Sequence, residues 1–157
     1  MKVVKFDDPY KRKNIETCEE LYNIDNHYTY ITNLFHKIDF SYNSYIHKEL
    51  RKKHSSYKSQ YQKKNRYDES QHITYEELIK KIYDSHLKCY YCKTDLSLVY
   101  ENKNTKNQWS LERFNNMLGH YESNTCISCL KCNLQRRNEN HEYFKDSKQW
   151  TFTKVGN

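Results

Sequence analysis

Cys89-Tyr90-Tyr91-Cys92 and Cys129-Leu130-Lys131-Cys132-Asn133 bracket one stretch of this chain. Between them lie Trp109-Ser110-Leu111-Glu112-Arg113-Phe114-Asn115-Asn116, then Gly119-His120, then Asn124. Two C-x2-C pairs supply four thiolates, the donor set of a tetrahedral zinc site. The pairs are separated by residues 93–128. Bringing them together requires this segment to fold back as a hairpin. Four thiolates leave zinc no open position, so Cys89, Cys92, Cys129 and Cys132 read as structural ligands. Chemistry, if present, belongs to the residues between and just after the knuckles.

The flanks predict the elements that hold this hairpin. Thr74-Tyr75-Glu76-Glu77 has the form of a capping box, with threonine at the cap and glutamate three residues on. Leu78, Ile79, Ile82 and Tyr83 follow on one face, which predicts a helix over about 75–86 leading into the first knuckle. Residues 93–107 are polar and predict a short strand or turn and then a loop. Trp109 to Phe114 reads as a strand and Thr125 to Ser128 as the returning strand, with Asn115 to Asn124 as the loop. A helix is expected from Cys129 or Leu130 to about Asn138, with Arg136 and Arg137 exposed.

Upstream, Ile15, Cys18, Leu21 and Tyr22 have helical spacing, as do Ile31, Leu34, Phe35 and Ile38. They predict two short helices packed on the C-terminal module. Residues 41–67 continue as a basic helix or arm, with Tyr45, Ile46, Leu50, Tyr57 and Tyr61 along one face. The expected division is an N-terminal helical extension over 1–70 and a zinc-bearing domain over 71–157.

Composition limits the core. The chain has 157 residues, no alanine, Gly 2 and Pro 1, and its apolar fraction of 36% includes 16 tyrosines. Tyrosine rings can build a core while their hydroxyls find partners. A core this lean gains from a structural metal, which supplies roughly 10 kcal/mol or more in small zinc domains. No stretch approaches a membrane span and no apolar run resembles a signal peptide. The expectation is an intracellular, reducing compartment, cytoplasm or nucleus, with Cys18 and Cys126 as packing thiols.

Charge is concentrated. The chain carries 27 Lys and Arg against 20 Asp and Glu, a net +7. Within 47–67 stand Lys48, Arg51, Lys52, Lys53, Lys58, Lys63, Lys64 and Arg66 against Glu49 alone. That block holds the whole net charge, and the rest of the chain is neutral. It is the footprint of a polyanionic partner, or else a solvated basic linker. Tyr57 and Tyr61 among the lysines either stack on bases or pack on the protein body.

The ordered set Glu112-Arg113, Gly119-His120, Asn124 and Cys129-x2-Cys132-Asn133 resembles the HNH endonuclease family. Zinc-bearing members of that family carry a C-x2-C before the core and a C-x2-C-N at the start of the helix. The resemblance spans Trp109 to Arg137, with support from Thr74 to Cys92; residues 1–70 lie outside it. It implies an α+β fold, a small ββα-metal core stapled by the four-cysteine zinc site. It also implies a phosphodiester hydrolase acting on DNA, with RNA not excluded, that yields 5′-phosphate and 3′-hydroxyl ends.

By the same resemblance, Glu112 and Asn133 would hold a catalytic Mg²⁺ or Mn²⁺, which suits oxygen donors. Asn124 would brace the loop, and Arg136 and Arg137 would grip phosphate. The chain departs from the family at Arg113, where a general-base histidine is usual. Arginine stays protonated. Some phage and large-virus relatives have an acidic-Arg pair with a later G-H or G-Y, which makes His120 the candidate base and Arg113 a stabiliser of the charged transition state. A histidine there equally braces a loop, and a metal-bound hydroxide needs no protein base. The basic block would grip the backbone without regard to sequence. The competing expectation is a non-catalytic zinc module, nucleic-acid-binding or virion-associated, with a degenerate HNH core. A homodimer fits either reading.

Overall fold

The computed structural model describes residues 18–63, 68–152 and 154. Helices surround one two-stranded antiparallel sheet, an α+β arrangement. In chain order they are α1 (Glu19–Tyr22), α2 (Ile24–Phe35), α3 (Asn43–Gln62), α4 (Tyr75–Asp84), β1 (Trp109–Arg113), β2 (Thr125–Cys129), α5 (Leu130–Arg136) and α6 (His141–Gln149). Ile15, Lys64 and Arg66 lie outside the described residues.

The hairpin is the centre of the molecule. β1 pairs with β2 from Trp109↔Cys129 at one end to Arg113↔Thr125 at the other. Leu111 faces Ile127 on the apolar side of the sheet, and Glu112 faces Cys126 on the other. Every residue of β2 is buried, and so are the first four of β1. A strand pair with both faces covered needs elements on both sides. α4 and α5 pack on it, while α3 reaches β1 through Tyr57, whose hydroxyl oxygen accepts a hydrogen bond from the Leu111 N–H at 3.0 Å.

α4 starts on the capping box read from the sequence. Thr74 Oγ1 accepts from the Glu77 N–H, and Glu77 Oε2 accepts from the Thr74 N–H. Its face of Leu78, Ile79 and Ile82 is buried. Residues 93–107 form no named strand. They loop back through a Lys88↔Asp95 bridge and a Ser97↔Gln108 bridge, and bury Leu96, Leu98 and Val99.

One apolar cluster runs from Leu21 to Phe144, so the N-terminal helices share a core with the hairpin. Buried His27 ties the two parts together: its Nδ1 accepts from the Leu98 N–H and its Nε2 donates to the Leu21 carbonyl. Tyrosine does much of the packing. Phe35 and Tyr28 both stack on Tyr83, and Tyr30 stacks on Phe40.

Several boundaries differ from the sequence reading. α2 stops at Phe35 and Lys37 takes φ 58, so Ile38 leaves the buried face and is 53% exposed. The basic segment is a single 20-residue helix whose Ile46, Leu50, Tyr57 and Tyr61 are buried. Burial of both tyrosines removes them as base-stacking groups. α5 ends at Arg136, two residues short of Asn138, because Arg137 adopts φ 50. α6 was not foreseen. Asn140 caps it by accepting from the Glu142 and Tyr143 N–H groups, and Phe144 packs edge-on to Tyr91.

Candidate metal centre and cleft

The four thiols of Cys89, Cys92, Cys129 and Cys132 lie within 4.8 Å of one another. The Cys92 and Cys129 sulfurs are 3.9 Å apart. A tetrahedral zinc with Zn–S near 2.3 Å sets sulfurs about 3.8 Å apart, so the cluster fits that ion. Backbone N–H groups already point at two sulfurs: Cys129 N–H donates to Cys89 Sγ and Cys132 N–H to Cys129 Sγ. Hydrogen bonds with Cys129 and Cys132 hold the Cys89 thiol far below the usual thiol range. Cys132 is pushed up, chiefly through its bonds with Cys129 and Cys89. Thiolates are the ligand form, so a dication bound here would favour deprotonation of the cluster. Cys18 and Cys126 stand outside the cluster, Cys126 buried within β2 opposite Glu112.

At the other end of the hairpin a cleft opens between α3, β1, the 114–121 loop and α5. Glu112, Arg113, His120, Asn133 and Arg137 all line it, as do Lys53, Tyr57 and Ser110. Asn124 does not line it. Its side chain sits beneath the loop, donating to the Asn115 and Gly119 carbonyls and accepting from the Asn115 N–H.

Glu112 is 4% exposed, and its two oxygens differ. Oε1 accepts from Arg136 Nε at 3.1 Å and Nη2 at 2.8 Å. Oε2 is buried with no hydrogen-bond partner among the described residues. Burial pushes the Glu112 carboxyl up, while Arg136 and then Arg113 pull it back. Asn133, on the first turn of α5, donates from Nδ2 to Ser110 Oγ at 3.1 Å. Its carbonyl oxygen stays available. Glu112 and Asn133 thus line the same cleft.

Arg136 is the clear correction. The sequence reading placed it on an exposed face, as a phosphate-gripping residue. It is 2% exposed. Besides Glu112, its guanidinium donates to the carbonyls of Arg113, Phe114 and Glu139 and to Asn116 Oδ1. Every arm of the fork is committed, so nothing is left for a ligand. Arg137 does face the cleft, with its carbonyl held by Asn116 Nδ2 at 2.6 Å.

His120 is 4% exposed, boxed by Tyr57 with ring centroids 4.5 Å apart and by Tyr61 at 5.2 Å. Its Nδ1 is buried with no hydrogen-bond partner among the described residues. Burial first, then the Arg113 and His72 charges, push its pKa down to about 3, against a hydrogen bond to the Leu111 backbone. The ring is neutral at pH 7. Arg113 lies 5.3 Å over the Tyr61 ring and donates from Nη1 to the carbonyls of Asn116 and Leu118, so it braces the loop that carries His120.

The basic block divides. Lys53 turns inward, over the Trp109 ring at 4.2 Å, and donates to the Trp109 carbonyl and Gln108 Oε1. Lys48, Arg51 and Lys52 line a separate groove on the outer side of α3. Lys58 is half-buried, Lys63 is exposed where the helix ends, and the remaining two cations fall outside the described residues.

Sequence reasoning missed three contributors: Asn116, which ties loop to helix; Ser110, which orients Asn133; and Tyr57, which walls His120 from a helix 63 residues upstream. Only the asparagine in Phe-Asn-Asn next to the glutamate gave a local signal. Comparison of this chain with family models, with curated proteins and with solved structures finds no match.

Proposed function

We propose that the protein is a metal-dependent endonuclease that hydrolyses DNA phosphodiester bonds, built on an HNH-type ββα core around β1, β2 and α5. The observation that carries this reading is a pair of buried polar atoms left unpartnered on one cleft: Glu112 Oε2 and His120 Nδ1. Buried polar groups are nearly always satisfied, and two exceptions in one cleft mark a site waiting for ligands.

Glu112 and Asn133 would hold Mg²⁺ or Mn²⁺. That ion, when bound, supplies charge stabilisation for the leaving oxygen. The chain's own groups do the rest. His120, neutral and fixed between Tyr57 and Tyr61, accepts a hydrogen bond from the attacking water at Nδ1 and orients it, while a metal-bound hydroxide would need no protein base. Arg113 and Arg137 supply positive charge at the phosphate on the cleft wall. Arg136 holds Glu112 in place and offsets part of the cost of burying its charge. The zinc cluster fixes the start of α5, and with it Asn133. Its polyanionic substrate would be drawn in by the cations that face the cleft, Lys53, Arg113 and Arg137.

A second reading has one observation in its favour. Glu112 is already half neutralised by Arg136, which weakens it as a metal ligand and suits a non-catalytic zinc module that binds nucleic acid. Plasmid nicking separates the two. With Mg²⁺ or Mn²⁺ the wild type nicks supercoiled DNA, while Glu112→Gln and His120→Ala each lower the rate by about 10²–10⁴-fold with zinc content unchanged. A wild type that binds DNA with a steep salt dependence but never nicks it favours the second reading. Cleavage that survives both substitutions removes the first.

A further inference from the structure

The outer groove of α3 and the catalytic cleft share no lining residue. Lys53, Tyr57 and Gln60 face the cleft. Ser44, Lys48, Arg51, Lys52, Ser55 and Ser59 line the outer groove. At about 100° per residue the two sets sit roughly 160° apart around the helix. The outer set runs about 22 Å along the axis, at 1.5 Å per residue.

Its chemistry is that of a phosphate track. Three cations sit mid-helix, with serine hydroxyls toward both ends of the groove. Arg51 is held over the Tyr75 ring at 4.6 Å, which fixes its guanidinium. Lys48 is exposed. Of the acidic neighbours, Glu49 pairs with Lys52 at 3.0 Å, and Glu76 is felt at His47. The groove remains net positive. A duplex is stiff over lengths of about 150 bp, so a short segment seated in the cleft cannot also cover the far side of α3.

We propose that the outer face of α3 is a second nucleic-acid track that holds a duplex segment other than the one in the cleft. This rests on the reading of the cleft as a DNA site and adds that one protein bridges two duplexes. Three phosphate contacts give a salt slope of about −2.7, so the track loses about 40-fold in affinity between 50 and 200 mM salt.

The test uses the full chain with zinc bound and no added Mg²⁺ or Mn²⁺. A bead-tethered 20-bp duplex is charged with protein, and capture of a second, fluorescent duplex is measured. Wild type captures it, and capture falls steeply with salt. The exposed double variant Lys48→Glu/Ser55→Glu puts two carboxylates beside Arg51 and Lys52 without touching the core. It loses at least tenfold in capture, while its rate of cleaving a 10-bp duplex under Mg²⁺ stays within twofold of wild type. Equal losses in capture and in short-duplex cleavage would show that the outer face belongs to the cleft's own track, and overturn the proposal. So would capture unaffected by the variant, or wild type that never captures a second duplex. A wild type that bridges but cleaves nothing leaves the second track standing and removes the nuclease reading instead.

Discussion

The two ends of the hairpin solve opposite problems. At the Trp109↔Cys129 end four thiols converge, buried and closed, with backbone N–H groups bonded to their sulfurs. At the Arg113↔Thr125 end a carboxylate oxygen and an imidazole nitrogen are buried without a hydrogen-bond partner among the described residues. The short helix α5 serves both: Cys132 points to the thiol cluster, the next residue, Asn133, lines the cleft, and Arg136 pins Glu112. Thiols that close on an ion would stabilise the fold, whereas polar groups buried without partners are kept at a cost, for which function is the usual reason.

The sharpest way to break this comparison is to remove the metal. Stripping zinc with a chelator is expected to cost on the order of 10 kcal/mol and to unfold the chain, seen as loss of a cooperative thermal transition. Metal analysis should find one zinc per chain beforehand. A stripped protein with an unchanged melting temperature would refute the thiol site. Next in size is Arg136→Met, which leaves Glu112 buried and uncompensated. Breaking one side of a buried pair costs about 3–5 kcal/mol, read from the urea midpoint. Glu112→Gln added to Arg136→Met should recover part of that loss, because the uncompensated charge is gone. A cost below about 1 kcal/mol for the single variant would mean that the pair does not govern the cleft.

The two ends also differ in how far the sequence revealed them. The thiol cluster was legible because C-x2-C fixes ligand type and local geometry together, and the capping box at Thr74 is just as local. The cleft was only half legible. Glu112, His120 and Asn133 stand out by order, but nothing at position 136 says that this arginine turns inward while Arg137 does not. That depends on where α5 ends and on the carbonyls the 113–116 loop offers. Tyr57 was unreadable for another reason. Its contact with His120 closes across 63 residues, and its neighbours in sequence are serines and Lys58, polar residues that suggest solvent. Long-range packing, and not propensity, turned the basic segment into a cleft wall.

Tyr57→Phe measures that wall directly. It keeps the ring against His120 and removes only the acceptor of the buried Leu111 N–H. An unsatisfied buried donor costs about 1–3 kcal/mol. The expected result is a lower urea midpoint, a reduced kcat and little change in KM, because Leu111 adjoins Glu112 on β1. A larger change in KM than in kcat would place Tyr57 in substrate binding instead.

The smallest effect is the most diagnostic, because it separates stability from function at a single residue. The His120 pKa of about 3 in the fold compares with about 6.5 in an unfolded chain. Above pH 6.5 neither state binds the proton, and His120 adds no pH dependence. As pH falls through 6.5 only the unfolded chain takes the proton, so folding stability drops and goes on dropping until about pH 3. Between pH 7.5 and 5.5 this one group removes about 1.4 kcal/mol. His120→Phe fits between Tyr57 and Tyr61, leaves no orphan nitrogen and cannot titrate. Its urea midpoint should therefore fall less over that range than that of wild type, by the equivalent of about 1.4 kcal/mol, with both proteins in the same excess of zinc. His72, held at about 4, and buried His27, also pushed down, contribute equally to the two proteins and cancel. The same variant should be inactive in plasmid nicking. A protein made more acid-resistant and catalytically dead by one substitution is what a neutral histidine held for chemistry predicts. Identical pH slopes in the two proteins would mean that His120 titrates freely in the fold, and that its burial does not hold it neutral.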